Sequence, residues 1–537
     1  MRRRFVVWLF GLAVLCAQSS TVGQSALTKQ ASDESIPSLM SQAELGELGD
    51  PLFLLVLKNR PQEARFDEVE KLIMGPSGER NLFVVDERLQ SATRGERRRA
   101  VTAFKGSNQG IRLDPNVALS TMFNDRGFVP AFIEAWGWDD GRSRYNYYKL
   151  DGDPPSWKFR GSSVGADQLE AAQRRGTCLA CHINGGPVMK ELPFPWNNWH
   201  SFRNSVNYLA PTAADHWQIA ESPRFRDLRG AEAFETVFIL PSIRQFNGRR
   251  LTAASRALGS GEQEVTDGPR TLRSLFRTTE YNIISAGQFS GLHPIPSPGA
   301  GPPDPVVIPD TFFVNANLLA GGGIPQYEGL GIPEARQFAN LLQFQPAEYK
   351  AVVAKLNTSI GGLAGDTNFA WFVPEASHVD NQMVDLLVRR GVVTREFVAA
   401  ALAVDVENPV FSGTRARLLA VIPAGFRFKP LNPGDVPAAH PDQLTRDVIA
   451  RLKALSPPTE SPEGEFLALL EQSSPVDTLR SKVIAYSDRV RARLADSQQR
   501  QGEIERLYRL MLQRRDEAVA HNPALVESSF LFPRGTP

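Results

Sequence analysis

The sequence predicts an α+β chain: a β-rich module that ends in a cysteine-histidine turn, followed by a mainly α-helical C-terminal half. Three observations predict it. Six short runs rich in Val, Phe, Tyr and Trp lie between residues 81 and 160, separated by Asn, Gly, Asp and Pro turn signals. The segment Arg175-Gly176-Thr177-Cys178-Leu179-Ala180-Cys181-His182 closes that region. Beyond residue 330 the apolar residues recur at intervals of three and four, the period of an amphipathic helix.

The chain opens with Met1-Arg2-Arg3-Arg4, an uncharged apolar run from Phe5 to Cys16, and the small polar stretch Ala17-Gln18-Ser19-Ser20. That pattern predicts a signal peptide over 1–19 and a periplasmic or secreted protein. The run is shorter than the roughly twenty residues that cross a hydrocarbon core, so no stable membrane span is expected. The arginines beside Phe5 match a twin-arginine signal only in part, and Leu15 is a bulky neighbour for lipid modification at Cys16. Removing 1–19 takes away Arg2, Arg3 and Arg4 and no acid, which moves the formal net charge from +1 to −2. A near-neutral chain with interspersed charges lacks the positive field that phosphate backbones require, so no nucleic acid partner is expected.

After a polar tail at 20–44, residues 45–216 read as one module. Strands are predicted at 81–86, 100–105, 117–123, 131–138, 144–150 and 157–160, with Asn124-Asp125-Arg126-Gly127 and Asp139-Asp140-Gly141 as turns. A short helix over 166–175, capped by Gly176, is expected to deliver the chain to Cys178.

Once the signal is gone, Cys178 and Cys181 are the only cysteines, and His182 follows at once. At i and i+3 of one helical turn, two sulfurs can reach the two vinyl groups along one porphyrin edge, and the next imidazole can reach the iron. One covalent haem c is therefore expected, with His182 as an axial iron ligand. A redox-active disulfide would want a βαβ context and leaves the histidine unexplained; a zinc site would need a second ligand pair that the sequence lacks; a structural disulfide is the third alternative.

On these residues the chain resembles the c-type cytochromes. The order of several strands and then a late motif resembles the β-rich cytochrome c-prime-beta family over about residues 80–190, where Cys178, Cys181 and His182 match. The chain departs from small cytochromes c, which place the motif early and a ligating methionine well after it. Here the next methionine, Met189, lies seven residues past His182, too near to reach the opposite face with ease. The candidates for the sixth iron position are His200, His216, Met189 and Lys190, with a vacant position as a further option. His200 leads, because imidazole binds iron well and the loop through Trp196 and Trp199 is long enough to wrap round. The alternative for His200 is a hydrogen-bonded histidine packed beside Trp199.

Residues 217–310 read as a mixed connecting region, with 259–268 as a surface loop and the Pro/Gly stretch 294–305 as a boundary. A helical domain at 311–429 is predicted from helices at 333–342, 346–356, 381–390, 394–403 and 412–422. A C-terminal helical segment at 430–537 carries the stripe Leu479, Val483, Tyr486, Val490 and Leu494, continued by Ile504, Leu507, Leu510 and Met511. Packing within its own domain is the plainer reading of that stripe, and an oligomer through these helices the other. His378, Asn381 and Asp385 share a helical face, read as a cap or surface network rather than a metal site.

Three functions remain open on the sequence: electron transfer with a redox partner protein; a haem enzyme or gas-binding protein with an open iron position for peroxide, NO or nitrogen compounds; and a haem-bearing assembly protein that docks a partner. Whether the chain is an enzyme stays undecided at this point.

Overall fold

The structure is a computed structural model and describes residues 47–87, 97–124, 127–151, 153–174, 177–180, 182–187, 229, 231–259, 261–278, 280–285, 306–321, 328–345, 347–349, 351–352, 355, 372–432 and 434–521. The expected signal peptide at 1–19, the polar tail at 20–44, Cys181, Met189, Lys190, His200, His216 and the Pro/Gly stretch at 294–305 lie outside the described residues.

The fold is α+β, with the sheet in the N-terminal half and the helices gathered in the C-terminal half. Six antiparallel strands form the sheet: β1 Glu79–Glu87, β2 Arg97–Lys105, β3 Val117–Asn124, β4 Gly127–Asp139, β5 Arg144–Asp151 and β6 Ser156–Ser162. Each pairs with its neighbours in sequence, giving a meander. All six lie where the runs of β-branched and aromatic residues predicted them, and each extends past its predicted bounds.

Both faces of this sheet are covered, and the pleat sorts the side chains between them with period two. Phe104, Val117, Leu119, Ile133, Tyr148, Leu150 and Trp157 pack on one face against Leu52, Val56 and helix α1, Phe66–Met74. Val101, Ala103, Ala118, Trp136, Trp138, Tyr145 and Tyr147 point to the other face, against Leu179, Phe234, Phe238 and Phe246. The cysteine-histidine turn lies on this second face.

Two parts of the approach to that face differ from the sequence reading. The helix expected over 166–175 is broken: a 3-10 turn at Ala166–Gln168 ends at Leu169 in extended backbone, and a short helix follows at Ala171–Arg174. The region 217–310 contains a continuous helix, Ala231–Phe234, a π-helical turn at Glu235–Ile239, and α2 at Leu240–Ala254. Pro241 and Gly248 are residues of low helix propensity. Pro241 lies in the first turn after the π segment, where the hydrogen-bond register changes and a missing N–H is tolerated.

In the C-terminal half, the expected helix at 381–390 is α3, His378–Arg389, whose N-cap Ser377 accepts from the Asp380 N–H at 3.1 Å. The one at 394–403 is α4, Arg395–Ala403, capped by Thr394. Residues 412–422 split into an α-helix at Gly413–Arg417 and a 3-10 turn at Leu418–Val421. The helix expected at 333–342 is confined to a 3-10 turn at Pro333–Arg336, and Asn340, with φ of 63°, ends any continuation. Of 346–356, the described residues 347–349, 351–352 and 355 are helical. The loop expected at 259–268 contains the strand Gln263–Val265, paired with Ser255–Ala257 and Phe426–Phe428.

The C-terminal stripe lies on a helical hairpin, α5 Pro475–Ala495 and α6 Arg500–His521. Leu479, Val483, Tyr486, Val490, Leu494, Ile504, Leu507 and Met511 are buried in one core that runs from Leu251 to Ala518, with Leu510 packed against it. Packing within the chain thus accounts for the stripe, and residues on both sides of 430 share that core. No helix among the described residues is long and apolar enough to cross a membrane.

Candidate functional site

The turn that carries the motif is built locally. Thr177 Oγ1 accepts from the Leu179 N–H at 3.1 Å and donates to the Arg174 carbonyl at 2.7 Å, capping a 3-10 turn at Cys178–Ala180. The His182 N–H then donates to the Cys178 carbonyl at 3.0 Å, an i to i−4 bond, so Cys178 and His182 are one helical turn apart. Leu179 is fully buried, while Cys178 and His182 are half-buried.

After His182 the chain turns sharply, with the Gly185 N–H donating to the His182 carbonyl at 2.8 Å. Gly185 has φ of 73°, and a Cβ there would lie 2.6 Å from Ser163 Cα. Glycine is required on both counts, backbone hand and space. A Cβ on Gly186 would lie 2.8 Å from Phe246 Cε1. The pair Gly185-Gly186 therefore lets the turn sink between the end of β6 and helix α2.

The reason for that close approach is visible in the bonds it permits. Gly186 presents its carbonyl to His182 Nδ1 at 2.8 Å. A carbonyl only accepts, so Nδ1 carries the hydrogen and the lone pair of the imidazole is on Nε2. This is how metal-ligating histidines are oriented, with one ring nitrogen donating to a backbone carbonyl and the other turned to the metal.

The sheet supplies the wall. Trp136 and Tyr147 are cross-strand partners in the register of β4 and β5, so both project from one row of the second face. Their rings flank His182, with centroids at 4.7 Å for Tyr147 and 6.1 Å for Trp136. Phe234 and Phe238, one helical turn apart and stacked at 5.5 Å, close on Trp136 at 6.3 and 5.9 Å. Tyr147 Oη donates to the Gly185 carbonyl at 2.8 Å and to the Gly186 carbonyl at 3.2 Å. Burial holds the Tyr147 phenol well above the usual tyrosine range, with Tyr145, Cys178 and Glu280 adding to it, so it remains a protonated donor.

The turn is also tied to the C-terminal half. Asn184 Nδ2 donates to Asp380 on α3 at 3.4 Å, and its carbonyl oxygen accepts from Arg273 at 3.1 Å. Asn247 of α2 donates to the Val379 carbonyl at 2.9 Å and to Gln382 at 2.6 Å. The cysteine-histidine turn is thereby fixed against the sheet and against α3.

No family model, curated protein or solved structure matches the chain.

Of the predicted site residues, Cys178 and His182 come together on one turn, whereas Cys181 and the sixth-position candidates His200, His216, Met189 and Lys190 lie outside the described residues. The residue set fits a covalently held haem: an apolar aromatic wall, a half-buried cysteine packed against it, and an imidazole whose Nε2 carries the lone pair. Trp136, Tyr147 and the two glycines were missed as site residues. The sequence signal that could have found them is Gly185-Gly186, a glycine pair directly after the motif.

The set His378, Asn381 and Asp385 does not form a surface network. His378 is buried, its Nε2 3.1 Å from Oε1 of Glu235, itself buried in the π-helical turn. Asn381 pairs with Asn315 at 2.8 Å, and Asp385 with Arg389 at 2.8 Å. The three side chains serve separate partners, and the described residues contain no cluster of three or more His, Cys, Asp or Glu arranged to hold a metal ion.

Proposed function

We propose that the chain is an exported mono-haem c-type cytochrome whose function is electron transfer. The observation that carries the reading is the hydrogen bond from His182 Nδ1 to the Gly186 carbonyl, directly after Cys178-x-x-Cys181. It gives the histidine of an attachment motif the tautomer and orientation of an iron ligand.

When bound, the group supplies a one-electron ferric/ferrous couple. Cys178 and Cys181 would hold it through their sulfurs, and His182 would offer Nε2 to its iron, with the Gly186 carbonyl fixing the ring through Nδ1. Trp136 and Tyr147, whose rings lie against the imidazole, would shield that side of it from water, and a less polar surrounding favours the less charged ferrous state. Export places the chain where haem attachment of this kind is made, and a redox partner protein gives or takes the electron. The likeness to the cytochrome c-prime-beta family is one of order, strands and then motif, and supports a haem module rather than a particular activity.

The absorption spectrum of the purified protein, oxidised and reduced, with and without carbon monoxide, tests the reading. A low-spin spectrum that carbon monoxide leaves unmoved supports electron transfer. A high-spin spectrum that shifts on adding the gas replaces it with an open iron site, the chemistry of a haem enzyme or gas-binding protein.

A further inference from the structure

We propose that Tyr147 is a positioning residue that raises the reduction potential at His182 by sharing the Gly186 carbonyl with it. The inference rests on the haem reading above and assigns a means of tuning to the same site.

The Gly186 carbonyl oxygen accepts from His182 Nδ1 at 2.8 Å and takes the longer arm, at 3.2 Å, of a bifurcated bond from the single Tyr147 hydroxyl hydrogen, whose shorter arm goes to the Gly185 carbonyl at 2.8 Å. Each donor on one oxygen draws on the same lone-pair density, so the tyrosine makes that carbonyl a weaker acceptor for the imidazole N–H. A weakly held N–H leaves the ring less electron-rich. Its Nε2 then stabilises ferric iron less, and the couple moves to more positive potential.

The arrangement is held from several sides. Trp136 opposite Tyr147 sets the phenol's row, the Tyr147 ring lies against the His182 ring, and the same hydroxyl is anchored at 2.8 Å on the Gly185 carbonyl. Gly185 and Gly186 can approach the sheet this closely only because they lack Cβ atoms. A tyrosine that served only to fill space would need no hydroxyl aimed at these two carbonyls. Phenylalanine would pack equally well.

Tyr147→Phe removes the hydroxyl and keeps the ring. The chain is to be made in a host able to attach haem c, its haem content read by mass and absorbance, and its midpoint measured by potentiometric titration. Full haem content is expected, with the midpoint moved negative. Because the phenol acts only by weakening the imidazole bond, by the roughly 10–30% that neighbouring hydrogen bonds exert on one another, the ferric/ferrous ratio at fixed potential changes about 1.2-fold to 1.7-fold, about 5 to 15 mV for one electron. Placing 3-fluorotyrosine at position 147, a more acidic donor of nearly the same shape, is expected to move the midpoint positive, and it keeps the test decisive should Tyr147→Phe fail to fold. A loaded chain whose midpoint is unmoved, or moved in the opposite sense, overturns the role of Tyr147. A wild-type chain without haem overturns the parent reading, and the mass distinguishes the two results.

Discussion

Gly185→Ala perturbs the turn that brings the Gly186 carbonyl to His182, and its effect can be worked from the geometry. Two penalties add. The backbone φ of 73° lies in the left-handed region, which costs an L-residue about 1–2 kcal/mol relative to glycine. The new Cβ would also lie 2.6 Å from Ser163 Cα and 2.9 Å from Ala166 Cβ, so backbone as well as side chain must shift. Overpacking of that kind costs about 1–3 kcal/mol. Loss of glycine freedom in the unfolded chain returns about 0.4–1 kcal/mol, leaving a net destabilisation of about 1–5 kcal/mol. Gly110→Ala is the control, because Gly110 has φ of 79° and open space around its missing Cβ. It bears the first penalty without the second. Urea unfolding followed by tryptophan fluorescence should place Gly185→Ala below Gly110→Ala by the packing term, with the haem content reduced in the first variant alone. Equal losses in the two variants would refute the claim that the turn is wedged against β6.

Other expectations concern parts of the chain away from the cysteine-histidine turn. Asp50 is buried among Tyr148 Oη at 2.5 Å, Asn146 Nδ2 at 2.8 Å and the Phe53 N–H at 3.0 Å, yet burial outweighs these bonds and raises its pKa above 3.8. The folded state therefore holds this proton more tightly than the unfolded one. The contribution is fully present below the unfolded value and is lost as pH rises through the folded value. Asp50→Asn should flatten that part of the stability profile in urea titrations taken upward from pH 4, and a slope identical to wild type would count against it. Gly248 lies within α2 with open space around it, so Gly248→Ala should raise the unfolding free energy by about 1 kcal/mol, and a loss of stability would contradict the open helix face.

The sheet was legible because its signal is local. Val117 to Phe123 and Arg144 to Leu150 carry residues that strands favour, Val117, Thr121 and Phe123 in the first and Tyr145, Tyr147 and Tyr148 in the second, between turn residues, and nothing distant is needed to read them. The motif was legible for the same reason: spacing alone puts Cys178 and His182 on one turn. What surrounds the motif was not, because it depends on pairing across the chain. That Trp136 and Tyr147 flank His182 follows from the β4–β5 register, which adjacent sequence does not specify, and from the depth of the turn at Gly185. The helix at 231–254 was hidden by Pro241 and Gly248, whose breaking tendencies a π-helical turn and tertiary packing override. His378 looked like a surface cap because its partner, Glu235, is remote in sequence and lies in that same unrecognised helix.

The mass of the chain, produced in cells that attach haem c, bears most directly on whether Cys178 and Cys181 carry a porphyrin. Expected is an addition of about 616 Da that survives denaturation, since both thioethers form without loss of atoms, and its disappearance when both cysteines are replaced by alanine. A colourless chain at the mass of its amino acids alone, from cells that load other cytochromes normally, would contradict it.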